Sequence, residues 1–144
     1  MTGSIKGAIF GTIGAIGSYI ASLLGGWSTD LQTLVIFMAI DFITGILVAG
    51  VFKKSGKSVG GALESNACFK GLTRKLTMLF FVLIAHSLDT AIGGEYIRTA
   101  TIIGFITNEA LSIIENAGLM GVPIPKIITN AIEILRKKED ETKK

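Results

Sequence analysis

At 144 residues, with 49% hydrophobic side chains, two prolines and a mean hydropathy of +0.61, the chain has no room for a soluble catalytic domain beside its apolar stretches. The formal charge of +3 misleads as a whole-chain number, because thirteen of the 14 Lys and Arg residues fall in three clusters between those stretches: Lys6, segment 53–75 and segment 126–144. Such clusters suit anionic lipid headgroups and argue against a nucleic-acid partner, and a single cysteine, Cys68, excludes an internal disulfide.

The first apolar stretch, 7–26, carries no charged residue and is long enough to cross a bilayer as a helix. Ile9, Ile13, Ile16, Ile20 and Leu23 recur at helical spacing on one face, while Gly7, Gly11, Gly14, Ser18, Ala21 and Gly25 recur on another. Small residues let helix backbones approach closely inside lipid. The small face is therefore expected to be a helix interface, serving either a neighbour in the same chain or a second subunit. Around Ala21, Ser22 and Leu23 there is no convincing signal-peptidase site, so the stretch is expected to be retained. Trp27 reads as an interfacial anchor.

The second span is expected over 31–52, with Asp41 near its middle, where an ionised carboxylate costs at least ~2.5 to 3.5 kcal/mol. It needs a partner, water or a proton. Residues 53–75, rich in Gly, Ser and Lys, read as a mobile loop. The third span, 76–94, carries His86 with Asp89 one turn further on the same face. The fourth, 97–118, carries Arg98, Asn108, Glu109 and Glu115, and Asn108, Ser112, Glu115 and Asn116 form a polar stripe that lipid will not tolerate. Asp41, His86 and Glu109 are expected at similar depth.

Pro123 and Pro125 end the fourth helix. Beyond them Ile127, Ile128, Ala131, Ile132 and Leu135 repeat at helical spacing against Lys126, Glu133 and Arg136, predicting an amphipathic helix that lies on the membrane surface or packs on a neighbour. The remainder of 126–144 reads as a solvated charged tail. Alternation across four spans puts all three basic clusters on one face, as the positive-inside rule requires. The expected fold is one all-α membrane domain, 1–144, with four transmembrane helices plus a short C-terminal amphipathic helix, and with both termini in the cytoplasm.

Chemistry is thin. Asp41, His86 and Glu109 come from separate helices without metal-ligand spacing, so no metal and no cofactor are expected. Neither a nucleophile elbow nor a phosphate loop is present, and the chain does not read as an enzyme. The intramembrane polar set, Asp41, His86, Asp89, Asn108, Glu109, Ser112 and Glu115, is left with two uses: tying helices together, or lining a path for protons, ions or water.

Five runs carry a resemblance to a family: Gly25-Gly26-Trp27, Asp41 to Ile46 (DFITGI), Lys70 to Lys75 (KGLTRK), Asn108 to Asn116 (NEALSIIEN) and Gly118 to Lys126 (GLMGVPIPK). Together they resemble the toxin-secretion and phage-lysis holin family, in order over nearly the whole chain. Ser28 stands where an acidic residue is common in that family, and His86 where a less basic polar residue is expected. The resemblance implies a homo-oligomer in the bacterial cytoplasmic membrane whose lesions release an endolysin or a toxin. The runner-up is a small ion channel or transporter using the intramembrane carboxylates; without a detectable inverted repeat, the transporter is the weaker form. An accessory scaffold recruiting a soluble partner through segment 53–75 is the third reading.

Overall fold

The computed structural model describes residues 2–57 and 59–142, and among them the chain is helical, without strands. Five α-helices follow one another: α1 (Thr2–Leu23), α2 (Thr29–Gly50), α3 (Ser65–Ile92), α4 (Ile97–Leu119) and α5 (Lys126–Thr142). The first four are long and apolar enough to cross a membrane, and this is a multi-pass membrane protein. Helices of 22 residues run about 33 Å at 1.5 Å per residue, close to the hydrocarbon thickness. With 28 residues, α3 runs about 42 Å and overshoots it.

The core lies among α2, α3 and α4. Leu31, Leu34 and Met38 from α2, Met78 and Val82 from α3, and Ile102 and Ile106 from α4 form one buried cluster, closed by Leu24. The α2–α4 contact is the most extensive of the bundle. Each helix presents its stripe at a spacing of three to four residues, as a buried helical face must. In this half of the bundle the stripe is apolar.

One finding departs from the expectations, and a second bears on an alternative they left open. The loop read over 53–75 is shorter, because α3 starts at Ser65. Its stripe of Met78, Val82 and Ala85 continues backwards to Lys75, which is helical and mostly buried rather than part of a mobile loop. The second concerns α1, whose residues from Gly3 to Ile20 are all exposed. A Cβ added at Gly7, Gly11, Gly14 or Gly17 meets no atom within 4 Å. Among the described residues nothing in the same chain covers this helix face.

Of the two placements expected for it, α5 takes packing on a neighbour: it folds back on α4, burying Ile132 and packing Leu135 against the core cluster. Every α4 member of that cluster lies at least 13 residues before Leu119, about 20 Å along the helix. Beyond Leu135, which packs on this core cluster, α5 leaves Arg136, Lys137 and Asp140 exposed.

Candidate functional site

The polar groups of the bundle gather at two levels. The deeper level follows from three stripes reaching the same depth: Asp41 continues Leu34 and Met38, Lys75 precedes Met78 and Val82, and Glu109 continues Ile102 and Ile106. Lys75 Nζ donates to Asp41 Oδ2 at 2.7 Å and to Glu109 Oε2. All three side chains are at most 12% exposed. Asn116, two turns beyond Glu109 on the same face of α4, donates from Nδ2 to Asp41 Oδ1 (3.2 Å) and to Thr44 Oγ1 (2.9 Å). Thr44 Oγ1 in turn donates to Ile40 O at 2.9 Å. Among the described residues no buried side-chain N or O lacks a hydrogen-bond partner.

This is a solvation device. One ammonium between two carboxylates, with an amide filling a remaining lone pair, gives each charge the partner that lipid would deny it. Two acids against one base still leave a formal excess of one negative charge. Beside the cluster opens a cavity of about 240 Å³, bordered by Asp41, Lys75, Glu109, Ser112, Asn108 and the loop residue Lys57. Lys57 Nζ lies 3.5 Å from Ser112 Oγ. Water can therefore approach the carboxylates from the end of the bundle bearing the 51–64 loop.

The second level lies at the opposite end. Gly25 has φ +87°, in the left-handed region that favours glycine. A Cβ there would stand 2.7 Å from both His86 Nδ1 and Arg98 Nε, so the position admits only hydrogen. Against this bare turn Arg98 spreads its guanidinium: Nε donates to Leu24 O (2.5 Å), and Nη2 donates to Gly26 O (3.0 Å) and Ser28 Oγ (2.9 Å). Asp30 lies 3.8 Å from Nη1 and accepts from the Ser28 hydroxyl. Asp89 accepts from the backbone N–H of Ile97 (3.0 Å) and of Arg98 (2.8 Å), satisfying two of the donors that the start of α4 leaves open. Gly93, at φ 70°, ends α3 and turns the chain so that Asp89 can reach them.

Of the residues singled out from sequence, Asp41 and Glu109 come together, while His86 and Asp89 belong to the other end. Eleven residues of α3 separate Lys75 from His86, about 16 Å, so the expected common depth of Asp41, His86 and Glu109 does not hold. The predicted α4 stripe also divides. Glu109 and Asn116 point into the bundle, Ser112 and Asn108 border the cavity, and Asn108 and Glu115 are exposed. Gly25 leaves the small face of α1 for the turn. Lys75 and Arg98 were missed as site residues, Lys75 because it reads as a charge of the 53–75 loop and Arg98, inside the fourth span, because its partners include backbone carbonyls of a turn. The signal for Lys75 was its register with Met78, Val82 and Asp89.

Comparison with known proteins places this arrangement. The bacteriophage holin family matches residues 18–137, which includes both polar levels and most of α5. The chain belongs to the bacteriophage holin family. Among its relatives, the probable holin of Bacillus phage phi105 is 32% identical over 112 residues, 77% of each chain. An uncharacterized protein of Halalkalibacterium halodurans, BH0965, is 38% identical over 130 residues, 86% of this chain and 89% of that one. An uncharacterized 14.9 kDa protein from Clostridium perfringens is 32% identical over 127 residues, 87% of this chain and 90% of its own length. No solved structure matches. The resemblance read from the five runs thus agrees with the family comparison, and a family of holins accords with a non-enzymatic membrane protein.

Proposed function

We propose that this holin oligomerises in the bacterial cytoplasmic membrane, with both termini on the cytoplasmic side, and opens lesions that release an endolysin or a toxin. The observation that carries the reading is α5 on α4. Exposed Arg136, Lys137 and Asp140 directly follow Leu135, which packs on the core of the bundle; held at that depth, each cationic residue facing lipid at the midplane would cost at least ~2.5 to 3.5 kcal/mol. Water on that face removes the cost. A ring of subunits enclosing water supplies it, and exposed Asn108 and Glu115 gain from the same water. In dispersed subunits α5 leaves α4 for the membrane surface, where its amphipathic pattern is equally satisfied.

The bare face of α1 supplies the subunit contact. Gly7, Gly11, Gly14, Ser18 and Ala21 offer a second copy a close backbone approach that this chain does not use. The thirteen basic residues of the three clusters favour one orientation, in which every copy presents this face at the same depth.

Expression in a bacterium tests the reading. The chain alone is tolerated and then abruptly collapses the membrane potential, since assembly is cooperative in surface density; a co-expressed cytoplasmic muralytic enzyme turns that collapse into lysis. Potential loss that rises smoothly with expression, without lysis when the enzyme is present, contradicts it and favours the small ion channel.

A further inference from the structure

Along α3, floored by the core residue Met78, runs an open groove of about 480 Å³, lined by Phe69, Lys70, Thr73, Arg74, Thr77, Met78 and Phe81 of α3 and by Phe105 of α4. Its chemistry is sharply divided along its length. Among the described residues no acidic side chain borders it. The Thr73 and Thr77 hydroxyls donate to the carbonyls of Phe69 (2.9 Å) and Thr73 (3.0 Å), so their polarity is spent on the helix itself and methyl groups contribute to the wall. What remains is an apolar trough of three phenylalanines and a methionine with two cations near one end. Lys70 and Arg74 are one turn apart, and neither side chain has a hydrogen bond or an ion pair among the described residues. They also border the cavity beside Lys75, where Glu64 is the remaining carboxylate; Glu64 borders that cavity and not the groove.

We propose that this groove is a binding site for one anionic phospholipid, with the phosphodiester between Lys70 and Arg74 and an acyl chain laid along Thr77, Met78, Phe81 and Phe105. The proposal rests on the chain spanning the membrane and not on lesion formation. Length supports it: Lys70 to Phe81 is eleven residues, about 16 Å of helix, close to the depth of one leaflet of a ~30 Å hydrocarbon layer. Charge supports it too, because two unpaired cations within a Debye length attract an anionic headgroup and are indifferent to a zwitterionic one. A free phosphate satisfies the cations and leaves Phe81 and Phe105 uncovered. A neutral lipid covers the phenylalanines and leaves the cations unpaired. Only an anionic lipid matches both halves.

The test uses the full chain purified in a neutral detergent, with dioleoyl phosphatidylglycerol, dioleoyl phosphatidylcholine and inorganic phosphate as three separate probes, and native mass spectrometry counting retained lipid. Phosphatidylglycerol is expected to be retained in preference to phosphatidylcholine, with one high-affinity copy per chain. In Lys70→Gln/Arg74→Gln the preference falls on the order of 30-fold, as loss of two basic contacts implies, while the circular dichroism spectrum is unchanged. Phe81→Ala weakens retention of both lipids. Equal retention of the two lipids, or an undiminished preference in the double variant, overturns the proposal. Displacement of bound phosphatidylglycerol by millimolar inorganic phosphate overturns it in favour of a simple anion site.

Discussion

Replacing Lys75 by Met is the most informative single change. Methionine keeps the length and apolar body of the side chain but removes the one cation between Asp41 and Glu109. Both carboxylates lie within hydrogen-bond reach of the same nitrogen, so their nearest oxygens stand on the order of 5 Å apart or less; at an effective dielectric of about 20 the uncompensated repulsion is about 3 kcal/mol. Breaking a buried ionic cluster by removing one partner costs about 3 to 5 kcal/mol, and part of that is relieved when one carboxyl takes a proton. We expect Lys75→Met to lose about 3 kcal/mol or more of stability, read by circular dichroism as the chain is titrated from mild detergent into dodecyl sulfate. Adding Asp41→Asn and Glu109→Gln to Lys75→Met should return most of the loss, because amides bear no charge and can bond to each other and to Asn116. Asp41→Asn alone leaves the Lys75–Glu109 pair intact and should cost less than Lys75→Met. The reasoning is refuted if Lys75→Met lies within about 0.5 kcal/mol of the parent, the range of a surface substitution, or if the triple variant is no better than the single one.

Other expectations concern the remaining elements. Arg98→Ala removes the donors to two turn carbonyls and the Ser28 hydroxyl, and should lower stability by about 1.5 to 3 kcal/mol in the same titration; Arg98→Lys should recover only part, lacking the planar fork. Asp89→Ala leaves two N–H groups at the start of α4 unsatisfied and should cost about 1 kcal/mol, as a lost cap does. Gly11→Leu meets no neighbour in the same chain, so it should leave the unfolding titration of the isolated subunit unchanged while shifting oligomer size in crosslinking; Ile13→Leu should change neither. Cys68 should resist an impermeant thiol reagent applied to intact cells before lysis, and prompt labelling from outside would refute the proposed orientation.

The spans, the C-terminal amphipathic helix and the carboxylates at depth were legible because each is a local signal: a window of apolar residues, a 3.6-residue period, a charge inside such a window. The partner of those carboxylates was not. Lys75 sits at the edge of an apolar window, and Asn66, Gly71 and Thr73 dilute the helical pattern before it, so hydropathy starts the span at Leu76. Register would have placed Lys75 on the stripe of Met78 and Val82, but only three-dimensional packing brings that stripe level with Asp41 and Glu109. Arg98 was illegible for a different reason, since backbone carbonyls of a turn leave no side-chain pattern to match it. On α4, Asn108 and Glu109 are adjacent in sequence and were taken together; the 100° between successive helical residues sends one outward and one into the core. The empty face of α1 was fully written in its glycines, yet whether that face has a neighbour within the chain is a property of the fold.

The central claim is that the holin's exposed polar surfaces are completed by water inside an assembly large enough to pass a folded protein. The most direct measurement is the size cutoff of liposomes containing the purified chain at graded protein density and loaded with a small dye and dextrans of increasing mass. Release of the dye and of dextrans as large as a folded enzyme, with a sharp onset in protein density, is the predicted result. Retention of every dextran at the highest density while ions leak would contradict it.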